Sequence, residues 1–313
     1  MVSGENSNDQ WVVKALYAYP VKSCGPVRLS EALVGETGLA YDRLWMLTDA
    51  KTGRFLTQRQ EPKMTLINVS INRAEDKLEL STAAMPTTLR LPLHPQPGKG
   101  LGEQFTVRVW YDSVLGRSCG QEADDWLSEF LGKPIRLLYK DPAEPRLVSR
   151  YLPKEGSCEV PPQSGFADVH PFHITTDPSL DDVNKRVPRP LTHQNFRPNI
   201  VFSPVSPSAA PYDEETWKRI EFEPRSDSGA WSMLIASRTS RCTMPNVDIE
   251  TGTMSADHEP QASMKTFRCT DPGKPTRICF GMQAVPQRIG QTIAVGQAVS
   301  VCERGLHSLA VSL

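Results

Sequence analysis

Residues 11–24 read Trp-Val-Val-Lys-Ala-Leu-Tyr-Ala-Tyr-Pro-Val-Lys-Ser-Cys, and their pattern sets the fold class. From Trp11 to Tyr19 the residues alternate with the period of a half-buried strand. Pro20 ends the strand, because proline cannot donate to a ladder. Lys22 and Ser23 then project from the turn. An ammonium beside a hydroxyl suits a phosphate grip, although a solvated turn has the same composition. The spacing is not that of a Walker A loop, which needs G-x-x-x-x-G-K.

Working outward, the same β pattern returns repeatedly. Residues 43–48 and 55–58 read as strands around the turn at 49–53, followed by 65–71, 77–80 and the period-2 stretch 105–110. Residues 86–102 are rich in Pro and Gly and read as a loop. Residues 120–132 place apolar side chains at 123, 126, 127, 130 and 131, with acidic residues early and Gly132 last, which predicts a helix. A second helix is expected at about 179–187. The polar, proline-bearing segment 140–165 reads as a linker, so domains are expected at 11–139 and 140–304. Strands return at 199–202, 220–222, 231–237 and 293–301. Short strands with few helices predict a mainly β, α+β chain of two β-barrel-like domains.

Composition narrows the function. The chain has 313 residues, 39% hydrophobic, with a net charge of -1. No basic block suits nucleic acid, and no run of about 18 apolar residues suits a membrane span. The polar first ten residues lack targeting features, so a cytoplasmic location is expected. The seven cysteines are odd in number and widely spaced, with no C-x-x-C, against a disulfide framework or a zinc ribbon.

Within 240–252, Cys242 follows Arg241 at the end of a β-rich run. A neighbouring guanidinium favours thiolate, the metal-binding form. A structural cysteine has the same context, and Asp248, Glu250 and Gly252 suit an exposed hairpin turn. Arg43 opens an apolar strand. Arg197 precedes a proline and so sits on a restricted backbone. Either arginine also suits a plain ion pair.

The ordered motifs YPVKSC (19–24), YDRLW (41–45), FLTQRQEPKMTLI (55–67), GQEADDWLSEFLG (120–132), DVHPFHI (168–174), NFRPNIVF (195–202) and SRCTMPNVDIETG (240–252) together resemble the MOSC superfamily, in its branch of mitochondrial amidoxime-reducing components. The resemblance spans about residues 11–303. It implies a two-domain MOSC architecture and a molybdenum cofactor, a pterin dithiolene with a phosphate and one protein thiolate on the metal. Cys242 matches the metal ligand. Lys22, Ser23, Arg43, Arg197, Ser240 and Arg241 match cofactor-binding positions. Asn199 and Asp248 fall beside them, with Cys242 and Asp248 as candidate catalytic residues. Val169-His170 and Gln283 depart from the family pattern, which leaves open whether they line the pocket.

The implied reaction is two-electron reduction of N-hydroxylated substrates, amidoximes or hydroxylamines. Electrons would come from cytochrome b5 and its reductase, since no ferredoxin spacing or flavin fingerprint is present. The family analogy also implies a mitochondrial association. The alternatives are the MOSC module of a cofactor sulfurase, whose pyridoxal-phosphate domain would lie upstream, and a non-enzymatic carrier of molybdenum cofactor.

Overall fold

The computed structural model describes residues 9–153, 156–225 and 229–309. β1 (Gln10–Ala18) buries Trp11, Val13, Ala15, Leu16 and Ala18. The alternation slips phase at Ala15, where the register against its partner also shifts, as a bulge requires. Short strands β2 (Val27–Leu29), β3 (Glu31–Gly35) and β4 (Gly38–Leu39) follow, then β5 (Trp45–Asp49). A meander β6 (Asn68–Asn72), β7 (Lys77–Ser81), β8 (Leu89–Pro92) leads through β9 (Gln96–Pro97) and β10 (Gly100–Leu101) to the hairpin β11 (Gln104–Val109) and β12 (Asp112–Ser118). Helix α1 (Gln121–Leu131) precedes β13 (Ile135–Lys140). After a long connection come β14 (Phe172–Thr176), α2 (Asp177–Asn184), α3 (His193–Phe196), β15 (Ile200–Pro204), β16 (Trp217–Phe222) and β17 (Trp231–Ser240). The ribbon β18 (Val247–Asp248) and β19 (Thr253–Met254), α4 (Gln261–Lys265), β20 (Cys279–Pro286), β21 (Thr292–Ala294) and β22 (Ala298–Arg304) complete the chain order.

The chain is mainly β with few helices, as expected. The largest sheet runs β15-β14-β20-β17-β16-β22-β1, and pairing of β1 with β15 closes it into a barrel. Within it β14 and β15 are parallel, and α2 and α3 lie in the crossover that such a pair needs. The interior is aromatic: Trp11 meets Trp217 edge-on at 4.8 Å, and Phe222 stacks on Trp231 at 4.2 Å. β1 therefore belongs to the barrel of the C-terminal half, and the sheet crosses the boundary expected at residue 140.

The other core lies among β5, the meander, α1 and the sheet β11-β12-β13-β5. α1 buries Ala123, Trp126 and Leu127 there and ends at Gly132 in the left-handed conformation, where glycine has no Cβ penalty. Its Asp124 and Ser128 side chains accept the N–H groups of Leu137 and Ile135 at 2.8 and 2.9 Å, which fixes the helix against β13.

Some readings differ. Residues 86–102, expected as a loop, hold β8, β9 and β10. Residues 55–58 make one bridge, Phe55 to Thr48, and then turn. Gln60 and Glu61 both donate to the Thr57 carbonyl, and the Gln58 amide leaves to bond Ser23. Residues 62–66 form a 3-10 turn opened by Pro62. The strand expected at 293–301 divides into β21 and β22 at Gly296, whose φ is 85°. No helix among the described residues is long and apolar enough to cross a membrane.

Candidate functional site

Where β1 ends, the Lys22 N–H donates to Trp45 O at 2.8 Å, pinning the turn against β5. Ser23 is left-handed, with φ 69°. The Lys22 ammonium donates to Phe166 O at 2.7 Å and to Asp168 at 2.5 Å. Burial lowers its pKa, against the pull of Asp168. Asp168 lies well below the usual carboxylate range. Burial opposes its ionisation, but the Lys22 charge and hydrogen bond outweigh it, helped by the Trp110 indole and Arg59.

Arg43 and Arg197 both occupy the left-handed region, at φ 49° and 57°, a cost of order 1–3 kcal/mol each that the surroundings must offset. Both guanidiniums lie over Tyr19, at 4.7 and 4.1 Å. Arg43 donates to Asp42 at 2.6 Å, to Asn199 Oδ1 at 3.0 Å and to Arg197 O at 3.1 Å. Asn199 also accepts from His173 N and donates to Tyr17 O, so its amide holds the frame rather than standing free. Arg197 donates to Cys24 O at 2.7 Å, while its Nη2 is buried without a partner. Burial brings Arg197 down to about 10, still protonated at neutral pH.

β17 delivers the remaining residues. Ser240 pairs with Cys279, and Arg241 N–H donates to Ile278 O at 2.8 Å. The Arg241 side chain donates to Phe196 O at 2.9 Å and leaves its buried Nε unsatisfied. Cys242 then leaves the strand, half-buried. Burial pushes the thiols of Cys24 and Cys279 up to about 12, which makes them inert.

These segments enclose one cavity of about 450 Å³, lined by Lys22, Ser23, Arg43, Arg197, Asn199, Ser240, Arg241 and Cys242 together. Val169, His170 and Gln283 line it as well. His170 is buried, and burial drives its pKa down to about 4, so it is neutral there. Asp248 is not brought to the cavity. It is exposed on the β18–β19 turn, where its carboxylate accepts the N–H groups of Glu250 and Thr251 at 2.9 and 3.1 Å. That is the hairpin role its sequence context also suited.

Sequence reading missed Arg59, Trp110, Arg150, Asp168, Lys274 and Arg277, which also line the cavity. Arg59 and Asp168 lie inside the motifs at 55–67 and 168–174 but were not singled out, and Trp110, Arg150, Lys274 and Arg277 lie in no quoted motif. Among the described residues Lys22, Arg43 and Arg238 have carboxylate partners, whereas Arg59, Arg150, Arg197, Arg241, Lys274 and Arg277 have none within ion-pair distance. A cavity with that surplus suits an anion. Buried polar atoms without partners are costly, and Ser23 Oγ, His170 Nδ1, Arg197 Nη2 and Arg241 Nε all belong to residues lining this one cavity. No three His, Cys, Asp or Glu side chains among the described residues cluster to hold a metal. A metal on Cys242 would need its other ligands from a bound group.

Comparison with known proteins gives an independent view. Residues 10–134 match the MOSC N-terminal beta barrel domain and residues 161–300 the MOSC domain. Mitochondrial amidoxime-reducing component 1 of Mus musculus is 32% identical over 92% of this chain and 81% of its own. The human protein of that name is 32% identical over 92% and 82%. Molybdenum cofactor sulfurase of Danio rerio is 28% identical over 85% of this chain but only 31% of its own length.

Proposed function

Because this chain belongs to the MOSC family, we propose that it is a molybdenum-cofactor-dependent reductase of N-hydroxylated substrates such as amidoximes and hydroxylamines. One observation carries the reading. The cavity lined by the half-buried Cys242 is also lined by residues with unsatisfied buried donors, Ser23, Arg197 and Arg241. Those donors fit the oxygens of a phosphate-bearing pterin, and charge-assisted hydrogen bonds to phosphate are strong. In this reading Cys242 is the metal ligand. Ser23, Arg197 and Arg241 bond the cofactor, with Lys22 and Arg43 adding charge beside them. Asn199 positions Arg43, and Ser240 fixes the end of β17.

When bound, the cofactor supplies a two-electron couple. The reduction balances as amidoxime plus two electrons and two protons giving amidine plus water, with the N–O bond broken. The chain's own part is to orient the substrate N–OH toward Cys242 and to wall off bulk solvent. We assign the electron supply to a separate protein, cytochrome b5 with its flavin reductase.

The test is molybdenum and pterin analysis of purified protein, followed by benzamidoxime reduction with a dithionite-reduced dye. Cys242→Ala should stay folded and lose both molybdenum coordination and turnover. Full activity in that variant would remove the reading. A carrier would bind the same cofactor and show no turnover at all.

A further inference from the structure

β11 and β12 stay paired up to Val109 and Asp112, so Trp110 and Tyr111 form the whole turn between them. Two-residue turns with positive φ favour Gly or Asn. Trp110 nevertheless holds φ 57°. Both rings are exposed, Trp110 by 38% and Tyr111 by 68%, and both line the cavity. A large aromatic kept in a glycine-type conformation and left facing a cavity is not explained by core packing. Trp110 is nonetheless held in place, edge-on to Phe55 at 5.6 Å.

Each ring carries a guanidinium. Arg59 lies 4.5 Å from the Trp110 ring and Arg150 lies 3.6 Å from that of Tyr111. Neither has a carboxylate within ion-pair distance among the described residues, although the Arg59 charge helps hold Asp168 ionised and its Nε donates to Thr57 Oγ1 at 3.0 Å. A guanidinium laid on an aromatic ring is preorganised and keeps N–H donors free for a carboxylate or phosphate.

We propose that Trp110, Tyr111, Arg59 and Arg150 are the substrate-recognition wall, and that the protein selects flat aromatic N-hydroxylated compounds bearing a negative charge remote from the N–OH group. This deepens the reductase reading and rests on it. The rings supply apolar surface for a planar substrate, and the guanidiniums supply the charge and the fork geometry. A neutral compound gains only the first, and a cation is repelled by the surplus charge of the cavity.

The experiment compares benzamidoxime with 4-carboxybenzamidoxime on the cofactor-loaded protein. Calorimetric titration without reductant reads binding apart from turnover. The carboxylate compound is expected to bind about tenfold more tightly or better, as for one charge-assisted hydrogen bond. The difference should shrink at high salt. In Arg59→Gln and Arg150→Gln the ratio of the two affinities should fall toward one, whereas Trp110→Gly should weaken both compounds alike. Equal affinities in the wild type, or a ratio unmoved by both arginine variants, would overturn the inference. With reductant, turnover of benzamidoxime without preference for the carboxylate overturns the inference and leaves the reductase reading standing. Preferential binding with reduction of neither compound overturns the reductase reading and the substrate assignment with it.

Discussion

Arg43 and Arg197 share one aromatic ring and one backbone conformation, yet they differ in what they leave free. Every direction of Arg43 described above ends on protein, at Asp42, Asn199 and Arg197 O. Arg197 keeps a buried Nη2 in reserve. Arg197→Ala should therefore act on the ligand, lowering cofactor affinity roughly 10- to 150-fold for one charge-assisted bond at nearly unchanged stability. Arg43→Ala strands the buried Asp42 carboxylate and should cost on the order of 3 kcal/mol. Pterin content per folded molecule, set beside denaturant midpoints, separates the two. Normal pterin content per folded molecule in Arg197→Ala would show that Arg197 does not face the anion.

Glu214 is a residue-scale effect away from the cavity. It is fully buried, Thr176 and Ser179 donate to one of its oxygens at 2.9 and 2.8 Å, and the other oxygen has no partner. Burial, only partly offset by those hydroxyls, pushes its pKa from 4.5 up to about 7. The folded state thus holds a proton that the unfolded state releases. Its stabilising effect is full below pH 4.5 and lost as pH rises toward 7, amounting to about 3 kcal/mol. The buried neutral His170 acts oppositely, so the informative quantity is the difference between wild type and Glu214→Gln. That difference should favour the variant increasingly from pH 4.5 to 7, and a pH-independent difference would refute the assignment.

At the scale of elements, α1 and strands such as β1, β7 and β11 were legible because one face is buried against a core and the period of 2 or 3.6 is then written in the residues, whereas β3, β8 and β12, which also alternate, were not picked out. α1 was expected at 120–132 and runs Gln121–Leu131. Residues 55–58 misled because their apolar start ends in Thr57 and Gln58, both buried yet spent on turn and loop hydrogen bonds. β20 hides another feature that pattern reading cannot supply. Gly281 has φ 72°, and a Cβ there would meet His173 Nε2 and Ile174 O at 2.5 Å. The register between β17 and β20 shifts close by, between Arg238 and Ser240. The bulge lies just before Ser240, Arg241 and Cys242, which line the cavity together with His173 and Asn199. Gly281→Ala should cost about 3 kcal/mol through overpacking and backbone strain and should reduce pterin content as well, both read against wild type. An unchanged unfolding midpoint would mean that β14 yields easily and the bulge does not set the site.

The whole molecule explains why the site was legible only in part. The candidate residues that line the cavity come from both halves of the chain, and a resemblance of ordered motifs could propose them without showing where they meet. Asp248 was included because it lies six positions after Cys242, but the chain turns outward between them. Trp110 and Arg150 were missed because only the packing of the β11–β12 tip against Arg150 brings them together, and Arg59 because it meets Trp110 from the turn after Phe55. The strand order carries the same lesson for the domains. β1 pairs with β15 on one side and with β22 on the other, so the barrel of the C-terminal half closes only with the first strand of the N-terminal half. A fragment beginning at residue 141 would expose the edges of β15 and β22, lose Trp11 from its contact with Trp217, and lack Lys22, Ser23 and Arg43. Open apolar edges of that kind aggregate. Such a fragment should show no cooperative unfolding transition and retain no pterin, and restoring residues 9–40 ahead of it through a flexible linker should return the cooperative transition but not full cofactor binding, because Arg43 and Asp42 would still be missing. A fragment from 141 that melts cooperatively near the full chain's temperature would show that the barrel does not depend on β1.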